Sequence, residues 1–288
     1  MRHIPVLLDE VLQFLDPKPG KRFIDATVGA GGHTAALLDR TLPDGKVLAI
    51  DQDESALSDT KTLLQAYGSR VEFVHSSFRA VRAIAEAYGF VDCDGVLADL
   101  GMSSMMVDDP SRGFSFMREG PLDMRMDRSQ ALTAAAVVNT YSEKEIADIV
   151  YTYGEERRSR PIARSIVHAR PLQTTSDLAR AIERVSGPPR RGKIHPSTRT
   201  FQALRIFVND ELKTLEDFLD SSMNVVRPGG RVVVIAFHSL EDRIVKQKFR
   251  ASRVAGRVLT KKIVTATEEE VRRNVRARSA KLRAWERS

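Results

Sequence analysis

Along the first hundred residues, short apolar runs alternate with stretches whose apolar positions recur every three to four residues. An amphipathic lead-in from His3 to Leu15 carries Val6, Leu7, Val11, Leu12 and Leu15, and stops at Pro17 to Gly20. The pattern then predicts a strand at 23–24, a helix over 34–40, a strand over 47–50, a helix over 54–67, a strand over 71–74, a helix over 78–88 and a strand over 95–100. Alternation this regular predicts a parallel sheet with helices on both faces. Ligands of such sheets lie outside the carboxyl ends of the strands, where Asp25, Asp51, Ser76 to Phe78 and Asp99 fall.

The rhythm breaks after Asp99. A long loop rich in Gly and Met runs to Asp127, and loops of that length inside a compact domain are usually functional. Residues 129–186 carry helical periodicity alone, with helices expected over 131–139, 143–153, 162–168 and 176–185, the last capped by Thr175 or Ser176. A basic, proline-bearing loop over 187–199 precedes helices over 200–209 and 210–226. The strand pattern returns at Val232 to Phe237, a continuous apolar run of the kind buried in parallel sheets. A helix over 240–249 and strands near 258–264 and 281–285 follow, which brings the strands to seven. The last two strands lie too close for a long crossover helix and predict an antiparallel edge hairpin.

Composition narrows the class. The chain has 288 residues, 42% of them hydrophobic, enough for one large core or two modest ones. A single cysteine, Cys93, excludes an internal disulfide and a cysteine-cluster metal site and suits a reducing cytoplasm. The N-terminal apolar stretch is interrupted at Asp9 and is too short for a signal peptide, and no run reaches membrane-spanning length. A cytoplasmic protein with no bound metal and no membrane partner is expected.

Charge is distributed unevenly. Residues 227–288 hold 17 Lys and Arg against 6 Asp and Glu, whereas the rest of the chain holds 28 against 32. The whole basic surplus thus lies in the last fifth of the chain, as in proteins that bind a polyanion.

The richest chemistry sits at residues 22–33. The short strand leads through Asp25 into Gly29, Gly31 and Gly32, and a helix follows. Glycines permit positive φ and let backbone N–H groups approach a nucleotide-type ligand. Asp51 ends the second strand about 20 residues on, where a carboxylate accepts hydrogen bonds from a ribose diol. The dinucleotide fingerprint needs Gly or Ala three places after its second glycine, and that place is Thr34. This disfavours a nicotinamide-dependent oxidoreductase. The remaining pattern resembles the S-adenosylmethionine pocket of Rossmann-like methyltransferases.

Longer motifs are more specific. His3-x-Pro-Val-Leu-Leu-Asp-Glu-Val, Gly31-Gly-His33, Asp99-Leu-Gly-x-Ser-Ser104, Arg112-Gly-Phe-Ser-Phe, Gly-Pro-Leu-Asp-Met-Arg-Met-Asp127, Tyr153-Gly-Glu-Glu156, the stretch His195 to Ile206, Phe237-His-Ser-Leu-Glu-Asp-Arg243 and the stretch Arg276 to Arg283 span nearly the whole chain. Together they closely resemble the family of bacterial small-subunit rRNA cytosine-N4 methyltransferases, RsmH or MraW. The resemblance implies a seven-stranded, mostly parallel Rossmann-like α/β sheet with an inserted all-helical domain. It implies methyl transfer from S-adenosylmethionine to the exocyclic amino nitrogen of one cytidine in 16S rRNA, with the small ribosomal subunit as partner. Monomer and homodimer both stay open. The segments expected are 1–108 and 209–288 for the methyltransferase domain, the latter with the basic C-terminal region, and 109–208 for a helical insertion that recognises RNA.

The resemblance places Gly31, Gly32, His33, Asp51, Phe78 and Asp99 on cofactor-binding positions, beside Gly29 of the same turn. Met106 stands where the family tends to have glutamine, so a cofactor contact there is apolar, and Val275 stands where proline is usual. Methylation at a pyrimidine ring carbon uses a cysteine nucleophile, and Cys93 opens a strand instead of closing one. Methylation at nitrogen needs no covalent intermediate, only an acceptor for the amine protons. Asp99 is the residue expected to be that acceptor, as a base or as an orienting group, with Ser103 and Ser104 near the base pocket. His195 and His238 each open a helix-start sequence, so they read equally as RNA contacts and as caps. Arg199, Arg205, Arg243, Arg276, Arg278 and Arg283 are candidate phosphate contacts. A non-catalytic RNA-binding assembly factor is the alternative reading of the same chain.

Overall fold

The protein is described from a computed structural model covering residues 4–189, 192 and 194–288; His3 of the lead-in and Arg190, Arg191 and Lys193 of the basic loop lie outside the described residues. The chain forms two compact units, Met1–Gly101 with Leu212–Ser288, and Met102–Glu211.

Among the described residues the first unit holds one sheet built from β1 (Arg22–Asp25), β2 (Lys46–Asp51), β3 (Val71–His75), β4 (Cys93–Asp99), β5 (Val226–Ala236), β6 (Gly256–Val258) and β7 (Lys281–Arg287). The strand order is β3-β2-β1-β4-β5-β7-β6. β1 to β5 run parallel, and β7 runs antiparallel to both β5 and β6. The strand side chains alternate between two buried cores, as the period of two requires. Ile24, Leu48, Val96 and Val234 face helices Val81–Ala87, Glu211–Val225 and Ser239–Ala251. Phe23, Val47, Leu97 and Val233 face helices Leu8–Leu15, Gly32–Arg40 and Glu54–Leu63. With apolar groups on both faces, these strands read as continuous hydrophobic runs.

Several element boundaries differ from the sequence expectation, three of them with a visible cause. β5 begins at Val226, inside the expected helix, and its register with β4 slips between Cys93 and Gly95, close to Gly229 at φ 76°. The helix expected over 54–67 stops at Leu63 and continues as a 3₁₀ segment to Arg70, where Gly68 takes φ 56°. The strand expected over 258–264 ends at Val258, because the Thr260 hydroxyl, 3.2 Å from Ala284 N, accepts the N–H that a backbone carbonyl would otherwise take.

The second unit is helical, with helices Ala134–Thr140, Glu143–Gly154, Ser159–His168, Thr175–Ser186 and Thr198–Val208 around Ile146, Val150, Ile162, Ile166, Leu178, Ile182 and Leu204. Two helix starts are fixed by capping boxes, Ser142 with Glu145 and Thr174 with Asp177. Thr174, one place before the expected cap, wins because Asp177 stands three residues after it and returns the bond. The Gly- and Met-rich loop is held as firmly as a helix. The Asn209 side chain donates to Met124 O at 2.8 Å and accepts from Met126 N at 2.7 Å, and Arg112 Nη2 donates to the carbonyls of Arg125 and Met126. Met124 and Met126 are buried, as adaptable core packing.

Candidate active site

The carboxyl tips of β1, β2 and β4 bring Asp25, Asp51 and Asp99 to one edge of the sheet. β1 and β4 are the neighbours at which strand order reverses, the usual ligand crevice of an open α/β sheet. The turn after β1 is built from its glycines. Gly29 and Gly31 have φ of 48° and 77°, and a Cβ on Gly31 would stand 2.7 Å from Thr60 Cγ2. A Cβ on Gly32 would stand 2.4 Å from Pro5 Cγ. Thr60 Oγ1 donates to Gly29 O at 2.6 Å, and Asp51 Oδ2 accepts from Gly29 N at 2.8 Å. The turn is thereby clamped from behind, and the first N–H groups of helix Gly32–Arg40 point out of it without helical partners.

Each carboxylate has a separate role. Asp25 is buried and accepts from Thr34 Oγ1 at 2.6 Å and from Thr27 N at 3.2 Å. Burial raises its pKa from 3.8 to about 6 despite these bonds. This explains why Thr34 replaces the fingerprint glycine: its hydroxyl is needed by Asp25. Asp51 accepts from Gly29 N and Asp53 N, one on each oxygen, which leaves further lone pairs for hydroxyl groups. Burial raises its pKa as well.

Asp99 is the most perturbed of the three. Its backbone N–H donates to Thr27 Oγ1 at 2.6 Å, but its Oδ1 is buried without a hydrogen-bond partner. Burial first, and then the charges of Asp25 and Glu241, push its pKa up to about 8. His33 Nδ1 stands 3.9 Å from Asp99 Oδ2. Its Nε2 lies 3.0 Å from Val6 O, and because a carbonyl only accepts, that nitrogen carries a proton. A crowd of partly desolvated acids with an unmatched oxygen suits a ligand that brings positive charge. S-adenosylmethionine fits this description: a sulfonium for the acids, a carboxylate for the helix N-terminus and a ribose for Asp51.

Phe78 opens the turn after β3, half-buried, edge-to-face with Phe218 at 5.2 Å between centroids. Cys93 is fully buried at the start of β4, and burial pushes its thiol up to about 12. A thiol in that state is no nucleophile. Cys93→Ala is expected to keep methyl transfer within about twofold, and the native thiol to resist alkylation until the protein is denatured.

The remaining expectations divide. Ser103 caps helix Ser104–Asp108, accepting from Met106 N at 3.2 Å. Met106 is buried in the core of the helical unit with 4% of it exposed, so a cofactor contact by that side chain is set aside. His238 resolves as a cap, with Nδ1 accepting from Glu241 N while Glu241 Oε2 accepts from Phe237 N and His238 N. His195 likewise accepts from Ser197 N at 3.2 Å, and its ring stacks on Phe116 at 4.4 Å. Arg205 is spent on a bidentate pair with Glu211, and Arg283 on Asp242, which removes both from the phosphate candidates. Arg199 lies 3.7 Å from Glu156 and is half exposed. Arg276 and Arg278 are exposed on the 3₁₀ segment leading into β7, whose first residue pairs with the last of β5. Glu241, Thr27 and Thr60 were missed by sequence reasoning. Only Glu241 left a signal, the helix-start sequence beginning at His238.

A parallel sheet with a glycine turn after β1, an acid at the tip of β2 and an antiparallel edge hairpin defines a Rossmann-like methyltransferase. The sequence matches the MraW methylase family over residues 1–288, and the chain belongs to that family. Proteins named ribosomal RNA small subunit methyltransferase H are 52% identical in Nostoc punctiforme over 99% of this chain and 93% of the relative, and 48% identical in Thermomicrobium roseum over the same shares. A crystal structure of a candidate rRNA-methylase from Clostridium thermocellum shares the fold, at a TM-score of 0.50 and 13% identity, covering 99% of this chain and 100% of that one. Among the described residues no helix is long and apolar enough to cross a membrane.

Proposed function

We propose that the protein methylates the exocyclic N4 amino group of one cytidine in 16S rRNA, within the small ribosomal subunit in the cytoplasm. The observation that carries this reading is the unpartnered, buried Oδ1 of Asp99 at the tip of β4. Bound S-adenosylmethionine supplies an electrophilic methyl group on a sulfonium sulfur.

The chain's own residues supply the rest. The N–H groups opening helix Gly32–Arg40 hold the amino-acid end, Asp51 holds the ribose and Phe78 walls the adenine. Ionised Asp99 accepts an N–H of the amine, draws the nitrogen lone pair out of conjugation with the ring and aligns it with the methyl carbon. Transfer of a methyl group from bound S-adenosylmethionine to that nitrogen would leave one surplus proton on it, and Asp99 is the group placed to take that proton. Nothing covalent to the base is required, in keeping with the inert Cys93. The helical unit is assigned to RNA recognition.

Incubating the protein with labelled S-adenosylmethionine and unmethylated small subunits, then separating rRNA nucleosides by mass spectrometry, tests the reading. N4-methylated cytidine is expected. A 5-methyl or 2′-O-methyl product refutes the assigned chemistry, and RNA binding without product returns the chain to the assembly-factor alternative.

A further inference from the structure

A second basic feature lies away from the strand tips. Helix Ser239–Ala251, the edge strand β6 and the chain up to Lys261 enclose an open groove of about 480 Å³. Its floor is apolar, made by the partly exposed Val258 over the buried Phe249, whose ring stacks on Trp285 at 6.4 Å. Its rim is cationic: Lys246, Arg250, Arg253 and Lys261. Two further arginines at the groove are already neutralised, Arg283 by Asp242 and Arg257 by Glu286. Among the described residues the four rim cations have no carboxylate partner.

Such an arrangement is costly to the isolated protein. Lys246 and Arg250 stand four residues apart on one helix face and Arg253 follows in the 3₁₀ turn Ser252–Val254 after the helix, so like charges repel along the groove. By contrast, Lys248, on the other side of the same helix, is paired with Asp220. Positions 246 and 250 are about 6 Å apart along the helix axis at 1.5 Å per residue, and 253 lies beyond the helix end in the 3₁₀ turn. Charges strung out in this way suit a chain of phosphates better than one compact anion. β6 lies three strands from β4, roughly 14 Å along the sheet at the usual strand spacing, so the groove is separate from the carboxylate cluster.

We propose that this groove binds the sugar–phosphate backbone of the RNA substrate at nucleotides flanking the one methylated, with the apolar floor under the sugars and Lys246, Arg250, Arg253 and Lys261 on successive phosphates. The inference rests on the rRNA reading given above. It assigns to the β6 edge a positioning role that the candidates Arg276 and Arg278 do not cover. The signal in the sequence is a basic residue at i, i+4 and i+7 across the end of one helix and the turn that follows it.

The test compares the wild type with Lys246→Gln/Arg250→Gln/Arg253→Gln and with a charge-matched control, Lys18→Gln/Arg40→Gln/Lys46→Gln, whose residues lie at the amino ends of the strands. KM for unmethylated small subunits, kcat, affinity for S-adenosylmethionine and the salt dependence of RNA binding are measured on each. The groove variant is expected to raise KM for RNA about tenfold or more, to flatten the log K against log salt slope by roughly 2 to 3, and to keep kcat and cofactor affinity. Its melting temperature is expected to hold or rise, since repulsion is relieved. The control is expected to behave as the wild type. Equal KM and slope in the groove variant and the control overturn the inference while the wild type still methylates. A wild type that methylates no rRNA overturns the functional reading instead.

Discussion

Asp99→Asn is expected to lower kcat about 1000-fold, the scale of a proton acceptor aligned with its substrate, while affinity for S-adenosylmethionine falls less than tenfold. Single-turnover methyl transfer and calorimetric titration of the cofactor separate the two effects. The wild type should also lose activity as pH falls below about 8, because the ionised carboxylate is the acceptor and its pKa is pushed up to about 8. The residual activity of the variant should lack that limb.

Stability moves the other way. The folded-state pKa of Asp99 lies above its ordinary value of 3.8, so the unfolded chain releases this proton first as pH rises. The carboxyl is therefore tolerated below about pH 4 and destabilises the fold progressively up to about pH 8. The whole shift would cost about 4 kcal/mol at pH 7, and with 23% of the side chain in contact with screening water about 1–2 kcal/mol of it is expected. Asparagine removes it, so the inactive variant should melt roughly 3 °C higher at pH 7 and equal the wild type near pH 4. An unchanged melting point at pH 7 contradicts the burial argument.

Gly31→Ala carries the second large effect. The residue sits at φ 77°, and its added Cβ would meet Thr60 Cγ2 at 2.7 Å and Leu64 Cδ1 at 3.3 Å. Thr60 cannot withdraw freely, since its hydroxyl holds Gly29 O. The turn must shift, which displaces the N–H groups that open the following helix. Affinity for S-adenosylmethionine is expected to fall about 100-fold, and folding stability by about 2 kcal/mol. Isothermal titration and urea denaturation measure these. Binding within threefold of the wild type would show that the turn does not hold the cofactor.

Much of this architecture is legible in the sequence, for local reasons. β2 and β4 are strands of six and seven residues whose apolar stretches, Val47 to Ile50 and Val96 to Ala98, end in Asp51 and Asp99, and a strand ending in an acid is visible without tertiary information. β5 shows the limit: Arg227 to Gly230, with Pro228 and two glycines, carry no strand pattern, and only Val226 before them pairs with β4, across a slip in register that the sequence does not announce. The site divides in the same way. Asp99 stands out by position, but its pKa is raised first by burial and then by the charges of Asp25 and Glu241, which come from distant parts of the chain. Arg205 and Arg283 look available for RNA in sequence, and only the folded chain shows Glu211 and Asp242 already engaging them.

The sheet is made from two separated stretches of chain, and this bears on its birth. β4 must wait for β5, roughly 125 residues later, and at typical synthesis rates that interval lasts about 6 to 25 seconds. Throughout it the apolar edge of β4 has no strand to pair with, an invitation to aggregation. The helical unit, whose core draws only on its own residues, can condense in the meantime and shorten the floppy tether that separates the two strands. Slow codons or chaperone contact in that window would therefore matter more to the yield of this protein than any single contact in the finished molecule.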